Sequence, residues 1–147
     1  MNKKGFSLME MLTVVIIVGL LASVALPQYR KIVEKGRFSK AQAMAKNLHD
    51  SCERLVAEFG VEEWADLRDD RKKMTALDIV GPDTMPAGFV VADDKVQGRG
   101  FSYSLTGNCG ISITKYEGNY LAEFEFSGTE FTCTEIDEES CNVYGLD

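Results

Sequence analysis

Apolar and polar residues follow three successive patterns along this chain. Residues 6–26, FSLMEMLTVVIIVGLLASVAL, are almost uniformly apolar, with Glu10 as the single ionisable side chain. From Phe38 the apolar positions thin to a stripe, Phe38, Ala41, Ala45, Leu48, Cys52, Leu55 and Phe59, at alternating spacings of 3 and 4. Lys40, Gln42, Lys46, Asn47, Asp50, Glu53 and Arg54 occupy the other faces. This period is helical, and Gly60, directly after the last apolar position, is a natural helix stop. A single helix over residues 6–59 is about 80 Å long at ~1.5 Å per residue. That exceeds what a small domain requires, so the first half suits lipid and the striped half predicts packing against a folded domain.

Residues 61–88, VEEWADLRDDRKKMTALDIVGPDTMPAG, form a connection of mixed charge with Pro82 and Pro86 near its end. It is longer than an ordinary loop. Trp64, Leu67, Met74, Leu77 and Ile79 predict short helical turns pinned to the rest of the domain, with Trp64 a packing anchor. From Phe89 the period becomes two, and GFVVA, FSYSL, ISITKY, YLAEFEF and EFTCT read as four or five strands separated by GRG, TGNCG and EGN. Tyr120, Ala122, Phe124 and Phe126 alternate with positions that include Glu123 and Glu125, so one sheet face is apolar. A one-faced sheet and a one-striped helix are complementary. The predicted fold class is α+β, a long N-terminal α-helix packed on an antiparallel β-sheet of about four strands.

The leading apolar run has the roughly 20 residues needed to cross a hydrocarbon core. Lys3 and Lys4 precede it, which predicts a cytoplasmic N-terminus and export of everything beyond. Tyr29, Arg30 and Lys31 suit the far headgroup layer. On composition alone the segment also reads as a plain anchor or a cleaved secretory signal, with Ser23 and Ala25 as small residues near its end. Two features argue for retention. Glu10 costs about 2.5–3.5 kcal/mol near mid-bilayer, and such residues usually mark function; the helical pattern also continues beyond the run.

The 147 residues accommodate one small domain and an anchor. With 16 Lys and Arg against 23 Asp and Glu, the net charge of −7 disfavours bulk nucleic-acid binding. Cys52, Cys109, Cys133 and Cys141 contain no CxxC pair, and behind an export segment they read as two disulfides, whose three pairings spacing alone leaves open. His49, the only histidine, sits beside Leu48 without a nucleophile arrangement and reads as a surface or groove residue. Glu135, Asp137, Glu138 and Glu139, with Glu130 nearby, lack EF-hand spacing and read as a solvated rim, facing at most basic residues such as Lys72 and Lys73 of a neighbouring subunit. With no nucleophile arrangement, no EF-hand or CxxC spacing and no phosphate loop, neither catalysis, a cofactor nor a metal site is predicted.

KKGFSLMEMLTVVIIVGLLASVALPQY resembles the N-terminus of a type IV prepilin of the type IVa-like class: a basic leader ending in Gly5, a mature chain starting at Phe6, and a glutamate, Glu10, at its fifth residue. Gly19 and Pro27 match the positions where the transmembrane helix is interrupted in assembled pili. The resemblance implies a cleaved leader over residues 1–5, a transmembrane and assembly helix over 6–27, and an exported pilin domain over 28–147. It implies cutting between Gly5 and Phe6 by prepilin peptidase, methylation of the Phe6 amine, and pairing of Glu10 with the Phe6 amine of a neighbour.

The implied product is a structural subunit, not an enzyme: a single-pass inner-membrane protein that an assembly platform draws into a homo-oligomeric helical filament, an extracellular pilus or a periplasmic pseudopilus. A type II secretion pseudopilin shares these features, and a minor pilin acting as a membrane-tethered adhesin is the alternative from another class. For the cysteines, Cys52 lies on the helix stripe, and Cys109 shares the parity of Ile111 and Ile113 if their strand starts early enough, so these two can meet. Cys133 with Cys141 follows from the resemblance, since many type IV pilins pin their last loop this way. Cys52 itself departs from the general family pattern.

Overall fold

The computed structural model describes residues 7–62, 64–67, 72–81, 83–92, 94–118, 120–136 and 140–146. Its dominant element is α1, Leu8–Phe59, a helix of 52 residues. Both ends follow from their residues. Ser7 caps the start, its hydroxyl accepting from the Met9 amide at 3.3 Å, while the Glu10 carboxylate reaches back to the Ser7 amide at 2.8 Å. This reciprocal arrangement satisfies donors that a helix start otherwise leaves unpaired. At the other end Gly60 adopts φ 65° and ψ 29°, the left-handed stop predicted from its position. Between them the helix is unbroken through Gly19 and Pro27.

Two 3₁₀ turns, Trp64–Asp66 and Met74–Ala76, punctuate the connection, as its spaced apolar residues predict. Trp64, Leu67, Met74 and Leu77 are buried. The sheet follows as β1 (Phe89–Val91), β2 (Val96–Gly98), β3 (Phe101–Leu105), β4 (Ile111–Lys115), β5 (Ala122–Phe126) and β6 (Phe131–Glu135), and a short α2 (Ser140–Tyr144) ends the fold. The six strands lie in sequence order and every neighbouring pair is antiparallel. Because each strand pairs with the next in sequence, the sheet is a meander.

The expectation of about four strands is corrected to six, and two elements, β2 and α2, match no segment read from the sequence. The three residues VQG of β2 are too few to display alternation. They pair with β1 and β3 because Arg99 (φ 55°) and Gly100 (φ 85°) form a two-residue turn of the kind that matches strand twist. A Cβ at Gly98 would fall 2.5 Å from Cδ1 of Phe89, its partner in the ladder; the glycine lets the Phe89 ring lie over the strand. The second element, α2, has only five residues and is tied to β6 by a disulfide.

The core lies between the second half of α1 and one face of the sheet. Phe38, Ala41, Ala45, Leu48 and Cys52 are buried as their spacing predicts, against Phe101, Tyr103, Ile111, Ile113, Phe124 and Phe126. The Phe38 ring sits 4.2 Å from that of Phe124 and 5.0 Å from that of Tyr144. At the helix end the prediction is corrected: Val56 is buried, Leu55 is half-buried and Phe59 is exposed. A strict spacing of 3 and 4 has period 3.5, and a straight helix of period 3.6 drifts about 20° per heptad away from it. After three heptads Phe59 has rotated off the face, whereas Val56 lies five whole turns below Phe38 and stays on it.

Candidate assembly helix and its anchorage

α1 divides into two halves with opposite surroundings. Its most apolar stretch is long enough to cross a membrane and holds no buried residue. Val14, Ile16, Ile17, Leu20, Leu21 and Val24 are each more than half exposed. Among the described residues the first buried position is Glu34. A Leu, Val or Ile gains about 1.5–3 kcal/mol when fully removed from water, so the eleven such side chains of residues 8–26 outweigh the ~2.5–3.5 kcal/mol cost of placing Glu10 in a bilayer. This half of the helix demands an apolar environment that the other described residues do not supply.

The residues expected to act in processing and assembly fall as follows. Gly5 and Phe6 lie outside the described residues. Glu10 is exposed and occupied locally by the Ser7 amide. Gly19 has open space where a Cβ would stand. Pro27 is exposed within the continuous helix, where its ring removes one main-chain donor.

Four connections fix the second half of α1 to the domain. First, the Lys115 ammonium donates to Glu34 Oε2 at 2.6 Å and to Tyr144 Oη at 2.8 Å, and the Tyr144 hydroxyl donates to the Tyr120 carbonyl at 2.8 Å. Arg37 supports the other Glu34 oxygen at 3.1 Å. Second, Cys52 is joined to Cys109, with Cα atoms 5.6 Å apart. Third, His49 Nδ1 donates to the Cys109 carbonyl at 2.7 Å. Fourth, Arg54 and Ser51 both donate to Asp78 in the connection. The Arg54 guanidinium, then the Ser51 hydroxyl, holds the Asp78 carboxyl below its usual range.

The two disulfides pair as expected, Cys52 with Cys109 and Cys133 with Cys141. The strand-parity route to the first requires correction. β4 begins at Ile111, and Cys109 lies before it in a turn with φ 55°. Its sulfur is therefore aimed by the turn, not by strand alternation. His49 is corrected too: it is buried, because the turn before β4 folds over the helix and supplies a carbonyl to its ring. Of the acidic rim, Asp137, Glu138 and Glu139 and the Glu135 side chain lie outside the described residues, and Glu130 is exposed.

Neither the Glu34–Lys115 pair nor the half-open groove beside it was anticipated from sequence. The signal for the pair was present: Lys115 has the inward parity of Ile111 and Ile113, and Glu34 lies four residues before Phe38 on the same helix face. The groove, of about 800 Å³, runs between α1 and the β2–β3 region and is lined by Arg37, Lys40, Met44, Phe89 and Arg99 among others. The Arg99 guanidinium stands 5.9 Å from the Phe89 ring centroid. Burial raises the Tyr103 phenol at the groove wall well above its usual range.

Comparison with known proteins finds a family match at the N-terminal end of the chain and two curated relatives. Residues 1–26 match the family model described as the prokaryotic N-terminal methylation motif. The chain is similar to a fimbrial protein of Moraxella nonliquefaciens, with 39% identity over 49 residues, covering 33% of this chain and 32% of the relative. It is also similar to the type IV major fimbrial protein FimA of Dichelobacter nodosus, with 33% identity over 54 residues, covering 37% and 35% respectively. The chain thus spans about a third of the length of the curated relatives it matches. No solved structure matches it. The methylation motif, the two fimbrial relatives and a long helix packed on an antiparallel sheet together support a type IV pilin.

Proposed function

We propose that this protein is a structural subunit of a type IV pilus. In this reading residues 1–5 are a leader, prepilin peptidase cuts between Gly5 and Phe6, and the new Phe6 amine is methylated. The helix over residues 6–27 holds the subunit in the inner membrane until an assembly platform draws it into the filament, and residues 28–147 form the exported domain. The observation that carries the reading is the division of α1, one half buried against the sheet and the other apolar and exposed. In the membrane lipid covers the exposed half; in a filament the equivalent helices of neighbouring subunits do so.

Glu10 has a specific part in this scheme. Its carboxylate pairs with the Phe6 amine of a neighbouring subunit, and because two opposite charges in a low-dielectric bundle attract strongly but are costly when unpaired, the pair selects one register. In the isolated chain the Ser7 amide occupies Glu10, so assembly exchanges a neutral donor for a charged one. Filaments sheared from cells provide the test. Their intact mass is expected to lack residues 1–5 and to carry one added methyl group, and Glu10→Ala is expected to yield processed protein that does not assemble. A mature N-terminus near Leu26, or normal filaments from Glu10→Ala, would overturn the scheme.

A further inference from the structure

We propose that His49, Asp50 and Glu53 form a binding site for a divalent transition-metal ion of the zinc class. The argument begins with the ring nitrogens of His49. Nδ1 lies 2.7 Å from the Cys109 carbonyl oxygen, which can only accept, so Nδ1 carries a hydrogen. In the neutral ring Nε2 therefore bears the lone pair. That nitrogen lies 3.3 Å from Glu53 Oε1. A lone pair and a carboxylate in contact repel unless something positive stands between them.

The separation suits a metal ion. Zinc bonds histidine nitrogen at about 2.0–2.1 Å and carboxylate oxygen at about 2.0–2.2 Å, and a tetrahedral angle between the two bonds sets the donor atoms roughly 3.4 Å apart. Asp50 supplies the third donor: one ligand atom from each of His49, Asp50 and Glu53 lies within 4.8 Å of the others. Asp50 and Glu53 are exposed, which leaves the fourth position open to water. Arg54, one residue beyond Glu53 on the helix, attracts Asp50 through space but is itself bonded to Asp78.

The ring is held in position before any ion arrives. His49 is 8% exposed, and its ring packs edge-on to Phe126 at 5.3 Å. Its Nδ1–H bond to a main-chain carbonyl is one of the contacts by which metal-bound histidines are oriented. Gly128 faces the other nitrogen: a Cβ there would fall 2.7 Å from Nε2, so a glycine keeps that approach clear. All three donors lie on α1, and the ring among them is already hydrogen-bonded to the turn that carries Cys109, beside the Cys52–Cys109 disulfide. The proposal is independent of the filament reading, since it rests on the folded domain alone.

The test is calorimetric titration of zinc chloride into the full chain, without a histidine tag, chelator-treated and held in detergent at neutral pH. One zinc per chain is expected, with binding at least tenfold weaker in Glu53→Gln and in Asp50→Asn. Both substitutions alter exposed side chains and spare the core, so they read the site even if His49→Ala fails to fold. X-ray absorption of the loaded protein is expected to show one nitrogen ligand among oxygens. No zinc binding by the unaltered chain, equal binding by Glu53→Gln, or an all-oxygen shell overturns the proposal and leaves an ordinary imidazolium–carboxylate pair in its place.

Discussion

Lys115 at the end of β4 meets Glu34 on α1 at 2.6 Å, across 81 residues of sequence, with side chains 1% and 10% exposed. Each charge is expensive to bury alone, and each is satisfied more than once: Glu34 also by Arg37, and Lys115 also by the Tyr144 hydroxyl. The ammonium therefore holds three elements together, α1, β4 and α2. It does so at the first point where the long helix enters the domain.

Removing one member of this pair is expected to be costly. Glu34→Leu leaves a buried ammonium without its carboxylate, and such losses amount to about 3–5 kcal/mol. Lys115→Met is expected to cost less, since Glu34 keeps the Arg37 contact at 3.1 Å. The double substitution, apolar on both sides, is expected to recover most of the loss, because a well-packed apolar pair often matches a buried ion pair. Urea unfolding of the four proteins checks this; additive costs in the double variant would contradict it.

The outline of the fold was legible because period is a local property. The stripe of α1, its stop at Gly60 and five of the six strands were all readable from spacing. What spacing does not carry is the meeting of distant segments. The burial of His49 depends on a turn 60 residues away. The metal-type arrangement around it was hidden for the same reason, since His49, Asp50 and Glu53 look like an ordinary polar edge until Cys109 fixes the ring. β2 was missed because three residues cannot show alternation, and the neighbouring strands determine its pairing.

The two disulfides are expected to contribute unequally. They close segments of 57 and 8 residues, and on chain-entropy grounds this corresponds to about 4 kcal/mol for Cys52–Cys109 and about 2.5 kcal/mol for Cys133–Cys141. Replacing each pair by alanine and comparing urea midpoints is expected to give the larger fall for the first pair. Its loss also removes the tether that keeps the Cys109 carbonyl over His49. A larger fall for the second pair would show that α2 carries more of the domain than its five residues suggest.

Asp78 makes stability depend on pH in a defined direction. Arg54 first and Ser51 second hold its folded pKa below the unfolded carboxylate value of about 3.9. The stabilisation is therefore fully present above that value and is lost as pH falls through the folded pKa. Both partners in the ion pair are largely exposed, so the effect is small and screened by salt. Asp78→Asn retains an acceptor for the Ser51 hydroxyl and isolates the charge. Its urea midpoint is expected to lie below that of the unaltered chain at pH 7 and to coincide with it near pH 2; a gap that persists in acid would assign the effect to packing.

A chain that starts at Gln28 is expected to fold by itself. Among the described residues none before Glu34 is buried, and the hydrophobic core begins at Phe38. The six strands, both disulfides and the Glu34–Lys115 pair all remain in the shortened chain. What it loses is the apolar surface of the helix, with no internal partner. The shortened protein is expected to be a detergent-free monomer by size exclusion and to unfold in urea in a single cooperative transition. Glu34→Leu in this background is expected to lower the midpoint as it does in the full chain, because the first half of α1 takes no part in that contact. Aggregation, or a broad non-cooperative transition, would mean that the first half of the helix packs against the domain after all.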